Sequence, residues 1–261
     1  LGLGMKVDGV ALASVIAEYT ALLVALIFAA RELRKRAGHW PLARLFRVRA
    51  YAAFFSVNAN LFVRTLALMF TFFFVTAQGA RLGGLVLAAN AILMNFVNLT
   101  SFALDGIAHA AEALVGKAVG QRNRTSLEES VRLCLKWSLY FAAGISAVYL
   151  FAGQFLINVL TDLPDVRGTT MIYLPWVIIS PLIAVWSFLY DGVYVGATRA
   201  REMRDIMIVS TFIVFLPGWY LLQDFGNHGL WAAFTLFMAS RGIGMHIGYR
   251  RKLLPAINGP E

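Results

Sequence analysis

Long apolar runs separated by short basic or turn-rich breaks dominate the chain. They occupy residues 7–30, 51–77, 85–115, 133–152, 169–195, 206–222 and 229–248. A helix crossing a bilayer needs about 20 mainly apolar residues, so the pattern predicts seven transmembrane helices. The third run is longer than a bilayer requires, which implies a tilt, a bend or an extension into water.

The breaks alternate in charge. One set carries Arg31, Arg34, Lys35, Arg36, Arg44, Arg47 and Arg49, then Lys117, Arg122, Arg124 and Arg132, then Arg199, Arg201 and Arg204, and finally Arg250, Arg251 and Lys252. The other set carries only Lys6, Arg81 and Arg167, with Asp162, Asp165 and Asp224 and the turn residues Gly83, Gly84, Pro164 and Gly226. Lys and Arg collect in cytoplasmic loops, so the carboxyl end is expected inside. One missed or invented helix would put basic loops on both sides. In the longest break, 31–49, Leu42, Leu45, Phe46 and Val48 alternate with arginines. That spacing suggests an amphipathic helix on the inner leaflet, able to touch anionic lipid. Two sequons, at Asn98 and Asn123, fall in a span and in a cytoplasmic loop, where no glycosylation is expected.

Composition agrees with a membrane solvent: of the 261 residues 59 % are hydrophobic and 14 % charged, against about a quarter charged in soluble domains. A net charge of +9 could suit nucleic acid, but its cations lie in clusters between apolar runs rather than on one face, so no nucleic-acid partner is expected. The single cysteine, Cys134, excludes an intrachain disulfide and a cysteine metal cluster. No cofactor and no enzymatic activity are expected, because neither a Ser/His/Asp nor a Cys/His constellation stands out. A retinal protein would need a lysine in the last span, and none is there. The chain opens Leu-Gly-Leu-Gly without an initiator Met. It is therefore expected to be a fragment.

Several ionisable residues remain inside the apolar runs: Glu18, Arg64, Asp105, His109, Glu112, Lys136, Asp191 and Arg241. Charge at membrane depth is costly unless paired or hydrated, so such residues mark function by default. Lys136 lies near a lip and can snorkel out. Asn98, Ser101, Asp105, His109 and Glu112 follow one another at three or four residues and form one helical stripe. Ser180, Ser187, Asp191 and Tyr194 repeat similarly, as do Ser56, Asn60 and Arg64. Three polar stripes imply a shared polar interior. Counting about 1.5 Å per residue from the cytoplasmic ends puts Arg64 level with Asp105 and Arg241 level with Asp191, so those two ion pairs are expected. His109 and Glu112 offer two metal ligands but no evident third, so no metal site is expected. Phe54, Phe55, Trp186 and Tyr190, with Asn60, Asn98, Ser187 and Tyr194, are candidate lining of a substrate cavity.

The run Leu104-Asp-Gly-Ile-Ala-His-Ala-Ala-Glu-Ala-Leu-Val-Gly-Lys-Ala-Val-Gly-Gln121 resembles the eighth-helix signature of the multidrug and toxic compound extrusion (MATE) family, in its DinF-like subgroup. Leu87-Ala-Ala-Asn-Ala-Ile92 and Asp191-Gly-Val-Tyr-Val-Gly-Ala-Thr-Arg199 add to that resemblance. The small residues Gly106, Ala110, Ala113, Gly116 and Gly120 suit close helix approach.

The resemblance implies an all-α polytopic membrane protein in which residues 1–30 are the last helix of an amino-terminal lobe and 31–49 an inter-lobe linker. Residues 50–250 would be a six-helix carboxyl-terminal lobe and 251–261 a cytoplasmic tail. It further implies export of amphipathic or cationic compounds by cation antiport and alternating access across a bacterial inner membrane, with the amino-terminal lobe as a missing partner. Members with a carboxyl-lobe Na⁺ site resemble this chain at Asp191 but carry a glutamate near the position of Arg64. An arginine there favours H⁺ over Na⁺. DinF-like members link the proton site to a first-helix aspartate that this chain lacks, which leaves Glu18 as a secondary coupling candidate. An oligosaccharide-lipid flippase of the same superfamily is the alternative, although its pyrophosphate-binding cavity would call for more arginines than Arg64 and Arg241.

Overall fold

A computed structural model describes residues 7–35 and 48–257. Every element among them is helical. They fall into two compact units, 1–51 and 52–261. The first contains α1, Val7–Lys35, whose described side chains are almost all exposed. The helix runs five residues past the expected boundary at 30. The amphipathic stretch expected from 31 to 49 lies largely outside the described residues.

The second unit is built on α2 (Val48–Arg81), α3 (Gly84–Gly120), α4 (Arg124–Leu160) and α5 (Pro164–Gly196). α6 (Ala200–Val209) passes through a π-helical turn, Ser210–Phe215, into α7 (Leu216–Leu222). α8 (Asn227–Gly248) continues through a second π turn, Tyr249–Leu253, to a short 3₁₀ turn, Pro255–Ile257. Local chemistry sets the breaks. Gly83, at φ 114°, turns the chain between α2 and α3. The Asn123 side chain caps α4 by accepting from the Ser126 amide at 3.0 Å. Pro164 starts α5 at a position where no amide hydrogen is needed.

Among the described residues six helical segments are long and apolar enough to cross a membrane, starting with α1 and ending with Ala200–Phe225. The seventh expected span, α8, is long enough at 22 residues but falls short in apolarity. The reason is its content of Arg241, His228, His246 and Ser240: Arg241 is buried with Leu230, Trp231, Phe234, Phe237 and Met245, Ser240 and His246 are half-buried and His228 is exposed. Length is not special to the third span either. α3 and α4 each run 37 residues, about 55 Å at the helical rise, so both project beyond a hydrocarbon core of about 30 Å.

α5 is the hub, packing against α3, α4 and α8. Two large apolar cores, with a small third one of Leu104, Ala142 and Val185, fill the bundle. One, toward the Gly83 end, joins Phe96, Tyr149, Leu174, Phe215, Trp231 and Phe237. The other, toward the Arg122 end, joins Val115, Leu127, Tyr190, Tyr194, Met203 and Met245. α2 meets the bundle through large rings, with Phe70 on Phe212, Phe72 on Phe234 and Phe74 on Phe215 and Trp219.

Candidate functional site

The centre of the site is Asp191. On α5 it stands beside Gly192, where an added Cβ would strike the Ala108 carbonyl of α3; at Gly196 it would strike that of Glu112. The missing side chains let α5 press directly on α3. This pair, Gly192-Val-Tyr-Val-Gly196, is the small-xxx-small pattern of close membrane helices. Of the small residues expected to serve that role on α3, Gly116 does, since a Cβ added there would lie 3.4 Å from the Gly196 carbonyl oxygen, while Gly106 and Gly120 face open space and Ala110 and Ala113 are exposed.

Two guanidiniums converge on one carboxylate oxygen. Arg64 Nη2 from α2 donates to Asp191 Oδ2, and Arg241 Nη2 from α8 donates to the same atom at 2.9 Å. The Arg241–Asp191 pair is the one expected; Arg64 pairs with Asp191 instead of Asp105. Counting rises treats helices as parallel rods, whereas tilt is set by packing. Arg241 is 2 % exposed and lies over the Phe237 ring at 5.4 Å; its Nη1 meets Met238 Sδ at 3.5 Å. Burying three charges costs several kcal/mol per ion, which mutual attraction and these contacts offset. Three buried atoms of the cluster, Arg64 Nε, Arg241 Nε and Asp191 Oδ1, have no hydrogen-bond partner among the described residues.

The α3 stripe does not point into the core. The core face of α3 is Ala89, Leu93, Phe96, Leu104, Ala111 and Val115, while Asn98 and His109 are exposed and Ser101, Asp105 and Glu112 half-buried. Asp105 makes no salt bridge among the described residues. His109 Nδ1 and Glu112 lie 3.5 Å apart, and no third potential metal ligand joins them among the described residues.

Three expected cavity residues occupy a helix interface instead, because their polar atoms find partners on α8. Ser187 donates to the Met238 carbonyl at 2.7 Å, Tyr194 to the Met245 carbonyl at 3.0 Å, and the Tyr190 hydroxyl meets His246 Nδ1 at 2.6 Å. Asn60 is held by Arg204 at 2.5 Å, and Phe54 is exposed. Trp186 does line a hollow of about 400 Å³, with Leu182, Ile183, Gly242, Ile243 and His246. Glu18 lies on α1 in the first unit and is exposed.

The MatE family model matches residues 61–221, which hold Arg64 and Asp191. The chain is 38 % identical over 251 residues to DNA damage-inducible protein F of Escherichia coli, covering 96 % of this chain and 54 % of that protein. It is 24 % identical to Protein DETOXIFICATION 43 of Arabidopsis thaliana, over 92 % of this chain and 45 % of that one. The fold matches the Vibrio cholerae MATE transporter VcmN in its bent form with a TM-score of 0.81 at 21 % identity, over 96 % of this chain and 57 % of that one. The chain thus spans about half the length of the relatives it matches. Matching over most of its length in sequence, and to a solved MATE structure in fold, this multi-pass membrane chain belongs to the MATE family.

Proposed function

We propose that the chain is the carboxyl-terminal part of a secondary active exporter that exchanges H⁺ for amphipathic compounds, cationic ones among them, by alternating access. On this reading α1 ends an amino-terminal lobe, residues 50–250 form the second lobe, and the basic carboxyl end faces the cytoplasm of a bacterial inner membrane. One observation carries the coupling assignment: the carboxylate of Asp191 is occupied by Arg64 and Arg241. A Na⁺ ion needs several oxygen ligands, as hard cations do, and would meet two fixed positive charges there. The exposed and half-buried side of the α3 stripe, with Asp105 and Glu112 unclaimed by arginine, suits a polar surface facing a transport cavity, where a cationic cargo would find carboxylates.

Everted membrane vesicles from cells expressing the whole exporter that contains this chain test this. Adding ethidium to energised, Na⁺-free vesicles should release protons at a rate set by ethidium concentration. A response that needs Na⁺ and ignores the proton gradient would overturn the assignment.

A further inference from the structure

We infer that Arg64, Arg241 and Asp191 form a binding site for an oxyanion that also carries a hydroxyl group. The charge count comes first. Two guanidiniums face one carboxylate, so the cluster carries one positive charge in surroundings that include Phe237 and Met238. The hydrogen-bond inventory then narrows the ligand. Among the described residues both arginines leave a buried Nε–H without an acceptor, and Asp191 leaves Oδ1 without a donor. Arg241 is 2 % exposed, so its orphan donor is not hydrated at the surface. An unmade buried hydrogen bond costs about 1–3 kcal/mol, and buried polar groups in native proteins are nearly always satisfied.

A group meeting all three atoms must offer anionic oxygen to the two Nε–H donors and a hydroxyl hydrogen to Oδ1. A hydrogen phosphate, a phosphate monoester or a hydroxy-carboxylate does so. A sulfate or sulfonate does not, because it has no proton to give and its oxygens would face Oδ1. The half-buried Asp105 is the nearby acid that would oppose entry of an anion. Side-chain exposures of 18 % for Arg64 and 15 % for Asp191 leave a way in from outside the unit. The site stands on this geometry, and rests on the transport reading only in taking the oxyanion as cargo.

Inorganic phosphate is the probe. Its binding to the chain in nanodiscs of neutral phosphatidylcholine, followed by calorimetry, should saturate, with sulfate at least about tenfold weaker. Arg64→Gln, with helix content unchanged by circular dichroism, should weaken phosphate by about tenfold. Asp191→Asn should lower the melting temperature, and either anion should restore part of the loss by replacing the missing negative charge. Phosphatidic acid in the nanodisc distinguishes sources: competition with phosphate assigns the site to a lipid headgroup, and its absence to a dissolved solute. No saturable phosphate binding, equal affinity for sulfate, or an unaltered Arg64→Gln affinity would overturn the site. Proton-driven ethidium exchange that persists without phosphate binding would fault this inference alone, and the reverse pattern would fault the transport reading alone.

Discussion

Arg64 reaches Asp191, and through it α2 is tied electrostatically to α5 and α8. Elsewhere α2 touches the bundle through phenylalanine rings, stacked at Phe70 and edge-to-face at Phe72 and Phe74, which can slide, and through the Arg204–Asn60 hydrogen bond. The ion pair cannot slide without leaving buried charge uncompensated. The Arg64–Asp191 contact is therefore the place where a change at the site is felt as a change in helix arrangement.

A double-mutant cycle checks which carboxylate Arg64 serves. Thermal unfolding of Arg64→Met, Asp191→Asn and the double variant in detergent should show a coupling of about 1–3 kcal/mol, as residues in contact do. The same cycle with Asp105→Asn should give the smaller value. A larger coupling to Asp105 would contradict the pairing.

The span pattern was legible because hydrophobic runs and loop charges report the same topology independently. α8 blurred it: a helix that buries Arg241 against protein does not need to look apolar. In the site, Arg64, Asp191 and Arg241 stood out individually because charge at membrane depth is rare. Their partnership did not, because it depends on tilt. The α3–α5 contact had a signal in Gly192 and Gly196, yet small residues on α3 drew attention first; spacing alone does not say which face meets a neighbour.

Gly192→Ala and Gly196→Ala should each force α5 away from α3, because the new methyl would meet backbone carbonyls that cannot swing aside. The expected cost is about 1–3 kcal/mol, that of overpacking. Gly106→Ala, with nothing within 4 Å of its Cβ, should be neutral or slightly stabilising, since alanine is the better helix former. Melting temperatures in one detergent compare the three, and equal losses would contradict the packing.

At the Gly83 end, Asn90 and Asn227 exchange two amide hydrogen bonds, of 2.8 and 2.9 Å, and the Trp231 indole donates to Asn90 Oδ1 at 2.9 Å. Asn90→Ala strands Asn227 and Trp231, both buried, and should cost about 2 kcal/mol, the scale of a buried unsatisfied partner. Asn227→Ala added to Asn90→Ala should cost little more. Additive losses in thermal unfolding would show that the two amides do not act as a pair.

Residues 251–261 read as a plain cytoplasmic tail, but their first part belongs to the bundle. Leu253, Leu254 and Ile257 are buried with Met203, Tyr249 and Leu127, while Arg250, Arg251 and Lys252 stay exposed. The basic triplet hid this in the sequence, since three charges in a row suggest solvent whatever follows them. Leu253→Ala and Ile257→Ala should each destabilise by about 2 kcal/mol, as loss of a buried aliphatic side chain does. The loss should be local first: a single π turn that has lost its anchoring side chain opens before the helices around it. Limited trypsin digestion reads that opening directly, because the cleavable residues lie within the segment the two side chains anchor. Cleavage after Lys252 should quicken several-fold in either variant while cuts at the α3–α4 turn, after Arg122 and Arg124, keep their rate. Equal acceleration at both places would mean that the tail is not a separate anchor.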